Sequence, residues 1–256
     1  MNKVGLIPVF NDSKNAIEAL RSLVDQSCRL DRLVIVDDGS SKLEFDLLFR
    51  GIENLKDSRI ELIRLNSNKG VSHARNSGLQ HCKKGDRIFL LDSDDISVRE
   101  RVMIQNSVMF ESGCSFCFGG YAEFFSSINV APSDSFTIMP LEYLFFITVN
   151  TPCVAFDWDG VTFFDESIDS SEDNDFFIRF VSRNGGKLVS VKSILGGGRK
   201  FALGESGLGA GIFRSHFYRL LCFRRNSALV NRFICLGGIV FEVCKLPVRL
   251  LRILVR

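Results

Sequence analysis

Phe89-Leu90-Leu91-Asp92-Ser93-Asp94-Asp95 decides the fold: an apolar run stops abruptly in three carboxylates within four residues. Such a run reads as a buried strand that reaches the rim of a sheet. Like charges this close repel, so an organised site of this composition gains by binding a cation. Hard divalent ions such as Mg²⁺ and Mn²⁺ favour oxygen ligands, and in phosphate chemistry they take few protein carboxylates plus the substrate's own phosphate oxygens. The same residues suit an acidic turn that caps a helix over Val98 to Glu111, and alone they do not separate the two.

The pattern repeats upstream. Val4 to Phe10 is a short apolar run closed by Asn11-Asp12, after which Ala16, Ile17, Leu20 and Leu23 recur at helical spacing. Leu33 to Val36 ends in Asp37-Asp38-Gly39-Ser40, Ile60 to Leu65 ends in Asn66 to Gly70, and a helix-compatible segment runs from Val71 to Cys82 before the Ile88 to Leu91 run. Four strands separated by crossovers imply parallel pairing in an α/β sheet covered on both faces. Ligands of such sheets lie outside the carboxyl ends of the strands, which is where all four polar motifs fall.

Taken singly, each motif has an ordinary explanation. Asp37-Asp38-Gly39-Ser40 is a common turn, or an aspartate at a strand end that accepts from a nucleobase N–H. Gly70 permits close backbone approach, and Arg75 and Asn76 on the next helix suit a base edge, a phosphate or plain solvent. Downstream, Phe164 to Asp175 gathers acids ahead of an apolar-periodic helix that runs to about Arg183. Ser170 and Asp173 stand at capping-box spacing there, while a base for a sugar hydroxyl is also a carboxylate on a rigid helix start. Asp157-Trp158-Asp159 reads as turn chemistry, with Trp158 either packed or stacking on an acceptor sugar ring.

Composition sets the outer bounds. The 256 residues are 46% hydrophobic and 24% charged, as in globular chains. The net +2 hides an asymmetry: from Arg199 onward eleven Lys or Arg face only Glu205 and Glu242, leaving the first 198 residues acidic. Lys245, Arg249, Arg252 and Arg256 share one helical face, as in a basic amphipathic helix at an anionic bilayer surface or a helix packed on the domain. Nucleic acid is not among the expected partners. Eight cysteines scattered through apolar runs read as reduced, buried thiols, Cys114-Ser-Phe-Cys117 included. No uncharged run reaches the roughly 18 residues of a spanning helix; the longest, Tyr143 to Phe156, has 14. No signal segment is read at the N-terminus.

In order and spacing, Ile7-Pro8-Val9-Phe10-Asn11, Val36 to Ser40, Asn68-x-Gly70 with Ala74-Arg75-Asn76-x-Gly78, and Leu91-Asp92-x-Asp94-Asp95 resemble the N-terminal half of family 2 glycosyltransferases. Phe164-Asp165-Glu166 and Ser171-Glu172-Asp173-x-Asp175 resemble the family's acceptor-side segment, so the likeness covers about residues 3 to 185. It implies a GT-A fold, a central mostly parallel sheet flanked by helices, followed by a helical basic tail. It also implies inverting transfer from a nucleoside-diphosphate sugar, UDP-linked by expectation, to a saccharide or lipid-carrier-linked hydroxyl in surface polysaccharide synthesis. By the resemblance, Pro8, Val9, Asn11, Asp37, Asp38, Arg75, Asp92 and Ser93 bind the donor. Asp94, with Asp92, holds Mn²⁺ or Mg²⁺, Asp173 is the base, and Glu172 and Trp158 position the acceptor. Arg199, ahead of a Gly-Ser loop, is a looser match for a diphosphate contact. The expected division is a nucleotide-sugar half over 1–112, an acceptor half over 113–212 and a basic segment over 213–256, in a cytoplasmic protein at the inner face of the membrane.

Two other functions stay open. A sugar nucleotidyltransferase shares the fold logic, but its Gly-rich loop is missing after Val4 to Phe10. A catalytically silent binding or scaffold protein at a membrane would not need acids at 92, 94 and 173. A dinucleotide-dependent oxidoreductase is excluded by the lack of G-x-G-x-x-G after the first strand.

Overall fold

The computed structural model describes residues 1–122, 135–198, 220–229, 237, 239 and 240. Strands β1 (Lys3–Val9), β2 (Arg32–Asp37), β3 (Ile60–Arg64) and β4 (Arg87–Leu90) pair in parallel in the order β3-β2-β1-β4. Helices α1 (Ser13–Val24), α2 (Lys42–Leu55) and α3 (Val71–Gln80) make the crossovers. The period of two along each strand assigns the faces. Val4 and Leu6 join Val34, Val36, Ile88 and Leu90 in one core, against Ala74 and Leu79 of α3 and Phe176, Phe177 and Phe180 of α5 (Glu172–Arg183). Ile7 and Val9 join Ile35 and Phe89 in the other, against Ala16, Leu20 and Leu23 of α1 and Val102 and Val108 of α4 (Arg101–Ser112). Helices therefore cover both faces, as an α/β sheet requires.

The parallel pairing read from the first half holds for that half, and the second half mixes directions. Strands β5 (Asp95–Ser97), β6 (Phe116–Ala122), β7 (Phe136–Pro140), β8 (Val154–Asp157) and β9 (Lys187–Gly198) extend the sheet to the order β3-β2-β1-β4-β8-β6-β9-β5, with β7 on β9. β8 runs antiparallel to both β4 and β6, while β6 and β9 are parallel. The expected helix over Val98 to Glu111 starts later, at Arg101, because Asp95–Ser97 is drawn into pairing with Gly196–Gly198. The capping box expected at Ser170 and Asp173 does not form. α5 begins at Glu172 from Ser171, at φ +63° and with no side-chain cap.

The described part of the C-terminal segment is docked on the domain. Phe223 is fully buried with its ring centroid 4.8 Å from that of Phe145, and Asn226 Nδ2 donates to Asp175 Oδ1 at 2.9 Å. The basic face from Lys245 to Arg256 lies outside the described residues. Cys28, Cys82, Cys114, Cys117, Cys153 and Cys222 are free thiols, all but Cys28 buried. Among the described residues no helix is long and apolar enough to cross a membrane.

Candidate active site

The ends of β1 and β2 are knitted into one rim. Asn11, at φ +49°, donates its backbone N–H to Ser40 Oγ at 2.8 Å, and its Oδ1 accepts from the Ser41 N–H at 2.9 Å. Asp38 is 3% exposed and accepts from the backbone N–H groups of Lys69 and Gly70 at 3.0 and 2.8 Å, which fixes the loop that opens α3. Gly39 is required between them: its φ is +70°, and a Cβ there would stand 2.5 Å from the Ser67 carbonyl carbon. Asp37 is wholly buried, with Oδ1 accepting from the Ser40 N–H and Oδ2 3.6 Å from Arg64 Nε. Both aspartates thus shape the floor of the rim. Pro8 and Val9 are buried in the strand below it, and the Val9 carbonyl accepts from the Asp38 N–H.

Arg75 joins the two halves of the domain. It is 4% exposed, and its guanidinium donates to Asp92 Oδ1 at 2.8 Å and to Glu172 Oε1 at 3.0 Å, with its Cζ 5.2 Å from the Phe164 ring centroid. Burial works against its charge, but Asp92 and Glu172 outweigh that and hold the guanidinium protonated. Burial, then repulsion from Asp173, pushes the Glu172 carboxyl above its ordinary range against the pull of Arg75. Asn76, the neighbour of Arg75, is spent on structure: Nδ2 donates to the Phe164 carbonyl and Glu166 Oε1, and Oδ1 accepts from the Phe164 N–H. Those bonds tie the Phe164-Asp165-Glu166 segment to α3.

The acidic turn follows β4. Asp92 and Asp94 are part-exposed, whereas Asp95 is buried and accepts from the Tyr121 hydroxyl at 2.8 Å. Burial, with Asp92 and Asp94 nearby and against that hydrogen bond, pushes the Asp95 carboxyl up to about 7. Ser93 Oγ is 3.4 Å from Asp12 Oδ2. Behind the turn, fully buried Arg101 donates to the Leu90 and Val154 carbonyls at 2.9 and 2.8 Å, and burial lowers it to about 10. Among the described residues no three His, Cys, Asp or Glu form a self-sufficient metal cage. A part-exposed, all-oxygen donor set with Asp92 half committed to Arg75 nevertheless fits Mg²⁺ or Mn²⁺, which accept few protein ligands when phosphate supplies the rest.

Opposite the acidic turn, Asp173 stands in the first turn of α5. Its Oδ2 accepts from Thr151 Oγ1 at 3.0 Å and its Oδ1 from the Asn174 N–H at 2.7 Å. Asp92, Asp95, Tyr121, Thr151, Glu172 and Asp173 line one cleft of about 380 Å³. Of the acids singled out in sequence, the cleft therefore collects Asp92, Asp95, Glu172 and Asp173. Trp158 is not brought there, which corrects its reading as a stacking platform: it is 5% exposed, edge-on to Phe163, with Nε1 donating to the Thr162 carbonyl. A ring this deeply buried has no face left for a sugar. Asp157 and Asp159 are likewise structural, bound to Arg87 and to Thr162. Arg199 lies outside the described residues. Tyr121, Thr151 and Arg101 were not singled out, since an isolated hydroxyl or cation in an apolar run carries no spacing signal.

The model of the family described as glycosyl transferase family 2 matches residues 6–154, more than half of the chain. The chain belongs to glycosyl transferase family 2. A relative from Escherichia coli, the UDP-Glc:alpha-D-GlcNAc-diphosphoundecaprenol beta-1,3-glucosyltransferase WfgD, is 32% identical over 116 residues, 45% of this chain and 44% of the relative. The chain spans about half the length of the curated relatives it matches. Among solved structures, S. aureus TarS in complex with UDP-GlcNAc is 16% identical at a TM-score of 0.65, covering 91% of this chain and 72% of that one. The mannosyltransferase PcManGT from Pyrobaculum calidifontis, in complex with GDP-Man and Mn2+, is 15% identical at a TM-score of 0.71, covering 96% and 69%. At these identities the likeness establishes the GT-A fold that family 2 members adopt.

Proposed function

We propose that the chain is an inverting glycosyltransferase that moves a sugar from a nucleoside-diphosphate donor, UDP-linked, to a hydroxyl of a saccharide or lipid-linked acceptor during surface polysaccharide synthesis. What carries the reading is the meeting of Asp92 and Asp95 with Glu172 and Asp173 in one cleft, bridged by Arg75. The relative named for a UDP-Glc donor and a diphosphoundecaprenol-linked acceptor supports the substrate classes.

In this proposal the nucleotide lies along the rim at Pro8, Val9, Asn11 and Asp38, with Arg75 and Ser93 flanking it. A divalent cation at Asp94, with Asp92, would supply Lewis-acid stabilisation of the charge that develops on the leaving diphosphate. Asp173 takes the proton of the acceptor hydroxyl as its oxygen bonds to the anomeric carbon and the diphosphate oxygen departs. One displacement inverts the anomeric configuration. Thr151 holds the Asp173 carboxylate in orientation by donating to Oδ2, and Glu172 positions the acceptor. Arg199 is proposed as a further diphosphate contact and the basic C-terminal stretch as an attachment to an anionic membrane surface on the cytoplasmic side.

The test is release of nucleoside diphosphate from a UDP-sugar by the purified protein, expected only with Mn²⁺ or Mg²⁺ and an acceptor. Full activity after chelation or in Asp94→Ala overturns the metal assignment. Retained transfer in Asp173→Asn moves the base elsewhere.

A further inference from the structure

A second cavity, of about 370 Å³, lies at the side of α5 away from its start, and three arginines line it: Arg179 and Arg183 of α5 and Arg225 of the C-terminal segment. Thr162, Ser182 and Asn226 add hydroxyl and amide groups to the same walls. The acids near it are already committed. Asp175 accepts from Arg179 Nε at 2.7 Å and from Asn226, Asp165 accepts from Arg225 at 3.0 Å, and Asp159 is spent on Thr162 and Asn184. Arg183 has no carboxylate partner among the described residues. Among the described residues Arg179 Nη2 is buried without a hydrogen-bond partner. A buried guanidinium N–H left without an acceptor is costly, and a cavity that concentrates three planar, always-charged forks is suited to a group with several anionic oxygens.

The position of the cavity says which group. Glu172, Arg179 and Arg183 are seven and eleven residues apart on α5 and so share one face. At about 1.5 Å per residue, Arg179 lies about 10 Å along the helix from Glu172. An acceptor whose hydroxyl lies at Asp173 and whose body follows this face brings its far end to the arginines. We propose that this cavity binds the diphosphate of a lipid-linked acceptor, separately from the donor's diphosphate at the acidic turn. The proposal rests on the glycosyltransferase reading above for its acceptor half, and on the cavity alone for anion binding.

Two measurements divide those halves. Titration of inorganic phosphate into the protein with EDTA present, followed by calorimetry, reads the cavity without activity or metal. Binding is expected in the wild type and in Asp94→Ala, and is expected to weaken about tenfold or more in Arg183→Gln and in the Arg183→Gln/Arg225→Gln pair, the loss of one or two charge-assisted hydrogen bonds. Arg183 is exposed, so the single variant keeps the fold even where the pair lowers Tm. Equal binding in wild type and Arg183→Gln, or no binding at all, overturns the site. The second measurement compares acceptors of one sugar carried on a lipid diphosphate or on a neutral alkyl chain. The ratio of their KM values is expected to change about tenfold in Arg183→Gln. Lost phosphate binding with an unchanged ratio overturns the acceptor assignment, while a protein that binds phosphate but transfers no sugar from any donor overturns the glycosyltransferase reading and leaves the anion site standing.

Discussion

Arg75 and Glu172 stand 97 positions apart in the chain and meet at 3.0 Å, and the same guanidinium reaches Asp92 at 2.8 Å. One buried cation thereby holds the acid after β4 against the acid that starts α5. Arg75→Met leaves both carboxylates without their partner. Since Asp92 is 29% exposed and Glu172 14%, the expected loss is about 2 to 3 kcal/mol, below the range for a fully buried pair. Urea midpoints at neutral pH measure it, and a midpoint equal to the wild type would show that water replaces the guanidinium at no cost.

Thr151→Val keeps the shape of the side chain and removes the donor to Asp173 Oδ2. With the carboxylate free to rotate, kcat is expected to fall about tenfold, equivalent to about 1.4 kcal/mol, while the donor KM stays the same. Initial rates against donor and acceptor separate the two. An unaltered kcat removes Thr151 from the site.

Gly39→Ala places a methyl group 2.5 Å from the Ser67 carbonyl carbon, at φ +70°. Backbone on one side and strain on the other leave no easy relief, and about 2 kcal/mol of stability is expected to go. Thermal unfolding checks this, and Gly39→Asn, which tolerates positive φ, should still fail if the close approach is the larger obstacle.

Stability at acid pH depends on groups such as Asp57, whose carboxyl is held below its ordinary range first by hydrogen bonds from Arg59. A depressed folded pKa adds stability that is present above the unfolded value, about 3.9, and is lost as pH falls through the folded value. Asp57→Asn should therefore lower stability at pH 7 and flatten its decline below about pH 4. A variant whose acid limb keeps the wild-type slope would assign that titration to other carboxylates.

The C-terminal segment divides at its docked part. Truncation after Asn231 keeps Phe223 and Asn226 but removes Ile239, which packs against the core, so Tm should fall slightly while flotation with anionic vesicles is lost. Truncation before residue 220 also removes Phe223, which is fully buried, and should cost about 3 kcal/mol. Equal flotation of the Asn231 truncation and the full chain would remove the basic C-terminal stretch from membrane attachment.

Legibility in the sequence follows from what produces a pattern. β1 to β4 announce themselves because strands buried on both faces are continuous apolar runs, and their polar ends fall where a parallel sheet opens its crevice. Asp173 and Arg75 could be named because the motifs that hold them resemble those of family 2 glycosyltransferases in order and spacing. Their bond to a common neighbourhood could not, since tertiary distance leaves no mark on spacing. β5 escaped for the opposite reason: Asp95–Ser97 has a single strand-favouring residue, Ile96, too short a signal to read alone, and it pairs with β9 where that strand passes beside it. Trp158 shows the limit of composition, because an indole suits a sugar ring and a core equally, and burial against Phe163 decides.

The reversal of β8 has a consequence for where active residues are sought in such chains. In the first half the proposed donor-binding residues follow the strands, at Asn11, Asp38 and Asp92. β8 runs the other way beside β4, so the residues that share Asp92's edge precede it, and Thr148 to Pro152 stand just before Val154 in the cleft wall. A search that reads only downstream of apolar runs passes over Thr151 for this reason, and the same scan performed backwards from β8 would find it.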